Sequence, residues 1–141
     1  MQTEFCSYEQ ALALKELGFD EPCMAIYYSK DKSFSWHHHI DHTNQEPVLE
    51  SGEFNISAPL KQQVFRWFRE KYNLVHSITY PHSETNKIEG INSVYFDIEI
   101  YTLLSGNAYK TYLFSGYSNK YEEAEDACID KLIEIIKNKD L

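Results

Sequence analysis

The densest concentration of metal-ligating side chains in the chain is the run Trp36-His37-His38-His39-Ile40-Asp41-His42. Imidazole and carboxylate at this density suit a divalent metal such as Zn²⁺, Ni²⁺ or Cu²⁺. In an extended segment His37 and His39 point to one side, while His42 or Asp41 can fold back from the loop that follows. His37, His39 and His42 are therefore the candidate metal ligands, and a divalent metal is the one cofactor the sequence offers. His76 and His82 lie apart and could add a ligand. The competing reading is a strand end running into a polar loop, with exposed histidines and no cofactor. Native metal sites need supporting residues around the ligands, and the sequence shows none.

Other chemistry finds less support. Asp97 and Glu99 stand two apart and face the same way on a strand, as paired acid-base carboxylates do, but such work also needs a pocket. Cross-strand pairing of one of them with Lys110 is the simpler role. Glu122, Glu123, Glu125 and Asp126 crowd the start of the last helix, where acids complement the helix dipole and also offer a docking surface for a basic partner. No GxSxG, HExxH, P-loop or GxGxxG stretch occurs in the chain. The three cysteines, Cys6, Cys23 and Cys128, form no CxxC pair and read as reduced, buried thiols, Cys128 on an apolar helix face. No catalytic residue is assigned, and the expectation is a protein without enzymatic activity.

The elements that must position these residues follow from period and punctuation. Ser7-Tyr8-Glu9-Gln10 reads as a capping box, and Ala11, Leu14, Leu17 and then Gly18 give a helix from about Tyr8 to Leu17. Strands are expected at Met24–Tyr28 and from Phe34 to about His39, joined by a polar turn. The stretch from about 41 to 57 is polar and nonperiodic and reads as a loop. Pro59 in a first turn, with Leu60, Val64, Trp67, Phe68 and Tyr72 on one face, predicts a second helix that Asn73 can end. Strands are expected at Leu74–Tyr80 and Ser93–Leu104, then at Ala108–Ser115 after a Gly106-Asn107 turn. A last helix opens with Asn119 as cap and carries Ala124, Cys128, Leu132 and Ile135 inward. The expectation is a single domain with an α+β fold, in the order α-β-β-α-β-β-β-α. An antiparallel sheet of about five strands carries the helices, an α-β-β unit (1–40) and a loop (41–57) preceding an α-β-β-β-α unit (58–141).

A two-residue turn at Gly106-Asn107 sets Leu103 opposite Lys110, Tyr101 opposite Tyr112 and Glu99 opposite Phe114. Val94, Phe96, Ile98, Ile100 and Leu113 then share a core face. The other face carries Tyr95, Asp97, Glu99, Tyr101, Lys110 and Tyr112, too aromatic for plain solvent and too charged for a core. Either the N-terminal unit or a partner covers it. The candidate interaction surface is Tyr95, Tyr101, Lys110 and Tyr112 on this face, with Glu122, Glu123 and Asp126 on the last helix.

Twenty-two acidic against 13 basic side chains leave a formal charge of −9, which repels phosphate backbones and anionic membranes alike. No nucleic-acid or membrane partner is expected. The first residues lack the basic and apolar regions of a secretory signal and no apolar run is long enough to span a bilayer, so a cytoplasmic setting is expected.

From Pro59 to Lys137 the order α-β-β-β-α, with Pro81-His82 in the first inter-strand loop, resembles the double-stranded-RNA-binding domain. That family contacts phosphates through a lysine cluster at the start of its last helix. Here the place reads Lys120-Tyr121-Glu122-Glu123-Ala124-Glu125-Asp126, so the resemblance implies the fold without the RNA binding. The segments PLKQQVFRWFREKYNL and YEEAEDACIDKLIEIIK resemble those of small uncharacterised prophage and mobile-element proteins of gut-type bacteria. That resemblance implies a phage-linked setting and an accessory role by protein contact, with a protein partner or self-association as a homodimer.

Overall fold

The structure is a computed structural model that describes residues 2–36, 42–45, 48–79, 95–103, 109–117 and 120–138, with Tyr95, Leu103 and Tyr109–Tyr117 described by backbone alone. The chain divides into two compact units, Met1–Val64 and Phe65–Leu141, with the boundary inside a helix. The fold class is α+β, as the sequence implies.

In the first unit, α1 (Tyr8–Glu16) begins at the expected capping box. The Gln10 backbone N–H donates to Ser7 Oγ at 3.2 Å, and the Ser7 N–H donates to Gln10 Oε1 at 3.0 Å. At the other end Gly18 takes φ 84°, a conformation that costs glycine nothing. There the Phe19 N–H reaches Leu14 O and the Gly18 N–H reaches Lys15 O, which satisfies two carbonyls the helix would leave open. β1 (Ala25–Tyr28) and β2 (Phe34–Trp36) form a hairpin whose turn is tied by Asp31, its carboxylate accepting from both the Ser33 N–H and the Ser33 hydroxyl. The expected loop at 41–57 is corrected at its end: Asn55–Ser57 form β3, antiparallel to the other edge of β1. The sheet order is β2-β1-β3. Three residues with one apolar side chain carry no readable period, yet Ile56 is fully buried and registers with Tyr27.

The core of this unit joins Phe5, Ala11, Ala25, Tyr27, Ile56 and Ala58, with Tyr8 and Phe34 at its margin. Tyr27 is an anchor. Its ring meets Tyr8 and Phe34 edge-on, and its buried hydroxyl donates to Cys6 O at 2.7 Å. Tyr27→Phe keeps the packing and strands the Cys6 carbonyl, so chemical denaturation should show a loss of about 1–2 kcal/mol.

In the second unit, α2 (Lys61–Tyr72) contributes its residues from Phe65 onward, and Phe65, Trp67 and Phe68 are buried. β4 (Leu74–Thr79), β5 (Tyr95–Leu103) and β6 (Tyr109–Tyr117) form an antiparallel meander in the order β4-β5-β6. Phe96, Ile98, Ile100 and Thr102 are buried, whereas Asp97 is exposed and Glu99 and Tyr101 are half-buried, the period-2 pattern expected of one core face. α3 (Tyr121–Lys137) packs on β4 and β5 through a stripe including Ala124, Cys128, Ile129, Leu132 and Ile135. It starts after Lys120, which occupies the cap position without a side-chain capping bond; the expected cap, Asn119, lies outside the described residues.

The expectation of one sheet of about five strands is therefore corrected, among the described residues, to two sheets of three. β1 is the central strand of its sheet, paired with β2 on one edge and β3 on the other, and among the described residues β4, β5 and β6 pair only with one another. The β5–β6 register is corrected by one residue: Leu103 pairs with Tyr109, Tyr101 with Thr111, Glu99 with Leu113 and Asp97 with Ser115. Parity is the reason. Residues 104–108, odd in number, separate the paired Leu103 and Tyr109, whereas a two-residue turn requires an even number between any pair.

Candidate interaction surface

The corrected register redistributes the expected surface residues. Tyr101 stands between Val75 of β4 and Thr111 of β6, while Tyr112 is registered with Ile100, Lys110 with Thr102 and Tyr95 with Tyr117. Tyr101 and Tyr112 are thus not cross-strand partners, and Lys110 is opposite neither Asp97 nor Glu99. What the backbone does bring together on the solvent side of β4 and β5 is Thr79 with Asp97, Ser77 with Glu99 and Val75 with Tyr101. Two carboxylates and a phenol follow one another along β5, and the strand beside them adds two hydroxyls. This arrangement can accept and donate hydrogen bonds and attract cations.

The acidic start of α3 divides in two. Glu122 and Glu123 are exposed and Asp126 is half-buried, but Glu125 is 6% exposed and belongs to the inner side of the helix. Lys120 Nζ lies 3.8 Å from Glu123 Oε1, and both side chains are more than half exposed, so the pair adds well under about 1 kcal/mol. Tyr121 meets Phe96 edge-on at 5.8 Å, which fixes the first turn of α3 over β5. Burial, assisted by the charge of Glu125, pushes the Tyr121 phenol up.

Of the expected metal ligands, His37 and His39 lie outside the described residues, as does His82. His42 is described and is 1% exposed. Its carbonyl accepts from the Cys23 N–H at 2.9 Å, and its Nδ1 lies 3.0 Å from Ser57 Oγ. The Ser57 N–H donates to Asn44 Oδ1, and Asn44 Nδ2 donates to Phe19 O at 2.9 Å. Cys23 Sγ points to Glu21 O and Gln63 Oε1. This buried polar network ties the residues after β2 to β1 and β3, and a metal on His42 Nδ1 would have to displace the serine. Among the described residues, no group of three or more histidines, cysteines, aspartates or glutamates is placed to hold a metal ion. His76 is in the second unit, stacked on Phe65.

The thiols are placed for packing. Cys6, Cys23 and Cys128 are buried, and none is in a disulfide. Burial pushes Cys23 and Cys128 up to about 12, so both are protonated at neutral pH and poor nucleophiles. One feature had no signal in the sequence. Lys15, Gly18, Phe19, Asp20, Asn44 and Gln45 line a shallow cleft where the Gln45 amide donates to Asp20 Oδ2. These residues are distant in sequence and carry no motif, so only the folded chain assembles them. No helix among the described residues is long and apolar enough to cross a membrane. No family model, no curated protein and no solved structure matches the chain.

Proposed function

We propose that the protein is a noncatalytic interaction module whose second unit engages a basic protein partner through the outer face of β4 and β5. The observation that carries this reading is the β5 sequence of exposed Asp97, half-buried Glu99 and half-buried Tyr101, set beside Ser77 and Thr79. A face of this kind is complementary to arginine and lysine side chains, which pair with carboxylates and lie on aromatic rings. Two copies of an acidic face repel, so a basic partner is favoured over a homodimer. Glu122, Glu123 and Asp126 on α3 extend the negative field of the same unit. The order α2-β4-β5-β6-α3 with a meander sheet supports a fold similar to the double-stranded-RNA-binding domain. The acidic start of α3 argues that the fold works here without RNA, and an accessory role in a phage-linked bacterial cytoplasm is consistent with it.

The test joins two measurements. Native mass spectrometry of untagged protein, purified without metal resin, reports subunit count and any held metal. Affinity capture then compares the wild type with an Asp97→Lys/Glu99→Lys/Tyr101→Ala variant of unchanged circular dichroism. The expected result is a metal-free chain whose partner is lost, with binding weakened at least about tenfold, the loss of about 1.4 kcal/mol. Capture unaffected by the three substitutions removes the sheet face from the proposal. One metal ion per chain, released by His37→Ala or His39→Ala, replaces it with the histidine cluster.

A further inference from the structure

The passage from α2 into β4 takes a single residue. α2 ends at Tyr72, Asn73 adopts φ 55°, and β4 begins at Leu74. Across this corner the His76 imidazole stacks on Phe65 with centroids 3.7 Å apart and planes inclined by 18°. Phe65 is 2% exposed and His76 is half-buried. The charge that bears on the imidazole from α2 is Arg69, one helical turn beyond Phe65. From β5 the residue opposite His76 is the apolar Ile100, while Glu99 and Tyr101 beside it occupy the alternate positions of the strand. α3, packed on the same two strands, has Glu125 and Cys128 as the titratable groups among its buried residues. β4 carries no other titratable side chain.

We propose that the Phe65–His76 pair is a proton-operated latch on the α2–β4 corner, closed while the imidazole is neutral and released when it takes up a proton beside Arg69. A neutral imidazole lies flat on a phenyl ring with little polar surface lost. An imidazolium in the same place must give up hydration and face a guanidinium of like sign. An aromatic face attracts a cation and works the other way. Burial and then Arg69 prevail over that attraction, holding His76 below its ordinary value of 6.5. The sign follows. The unfolded chain binds the proton more readily than the closed latch, so the latch is fully stabilised above the ordinary imidazole pKa. It weakens as pH falls through the lower folded value. Release uncovers Phe65, a ring otherwise sealed from water, on the side of the molecule where α2 gives way to β4.

The experiment follows the His76 ring by NMR in the full chain from about pH 7.5 to about pH 5, together with amide exchange corrected for intrinsic rates. The expected result is a ring titration below that of an exposed histidine. In step with it, protection across Arg69–Val75 should fall at least about tenfold while the amides of mid-α3 hold. His76→Phe, which preserves a ring on Phe65, should keep that protection through the whole range. Arg69→Gln alters an exposed side chain, leaves the fold intact and should move the His76 titration upward, which keeps the test decisive even where His76→Phe fails to fold. A ring that titrates at or above the ordinary range, protection that ignores the titration, or an unaltered pH response in His76→Phe overturns the latch.

Discussion

Replacing Phe68 with alanine is expected to cost about 3–5 kcal/mol. Phe68 is fully buried on α2, flanked by Trp67 at 5.0 Å and Tyr72 at 6.0 Å between ring centroids. Removing the ring leaves a cavity under a helix that continues straight into β4, so the backbone on that side has little freedom to collapse. Small domains are stable by only about 5–15 kcal/mol, so a loss of this size consumes about a fifth or more of the total. The two tryptophans make the measurement clean: Trp36 belongs to the first unit and Trp67 to the second. In a Trp36→Phe background, urea unfolding followed by Trp67 fluorescence reads the second unit alone. Phe68→Leu should recover much of the loss, because leucine refills most of the vacated space with apolar atoms and leaves a smaller cavity. A Phe68→Ala loss below about 1 kcal/mol would mean that the ring is not a core element.

The second large effect concerns His42, where the sequence and the structure assign different work to one residue. His42→Ala should destabilise the first unit by about 2–4 kcal/mol, since it deletes a buried ring and strips Ser57 Oγ of a partner 3.0 Å away. His42→Asn returns a polar atom near the position of Nδ1 and should recover roughly 1 kcal/mol. Urea denaturation followed by Trp36 fluorescence, in a Trp67→Phe background, provides the number. The metal reading predicts the opposite signature, a loss of bound metal at unchanged stability of the metal-free protein. If that is what the alanine variant shows, the buried network is incidental and His42 is a ligand.

What could be read from the sequence was whatever local chemistry dictates. Ser7 and Gln10 can form a capping box wherever the chain places them, and Gly18 can take a positive φ at no cost, so α1 was legible to within a residue. The alternation of Phe96, Ile98 and Ile100 with Asp97 and Glu99 likewise identified the core face of β5. What could not be read depends on partners distant in sequence. β3 is a strand because β1 has an edge for it, and nothing in Asn55-Ile56-Ser57 announces that edge. The β5–β6 register turned on whether an even or odd number of residues joins the strands, and Gly106-Asn107 suggested the wrong parity. That single step moved Tyr112 from opposite Tyr101 to opposite Ile100, and the expected tyrosine pair with it. Glu125 looked like its acidic neighbours, yet its place in the helical turn puts it with Cys128 on the inner side. His42 looked like its histidine neighbours, and its burial against Ser57 could not be read from the run itself.

The order β2-β1-β3 also sets a sequence of events for the newborn chain. Tyr28 and Phe34 are joined by a short turn, so β1 and β2 can meet within microseconds of emerging. The other partner, Asn55, arrives only after a stretch more than twice doubled in length, which raises the closure entropy by about 1.5 kcal/mol. Until then the half-formed sheet presents Ile26 and Tyr27 along an unzipped margin, and that interval is when a chaperone or a second nascent chain has something to hold.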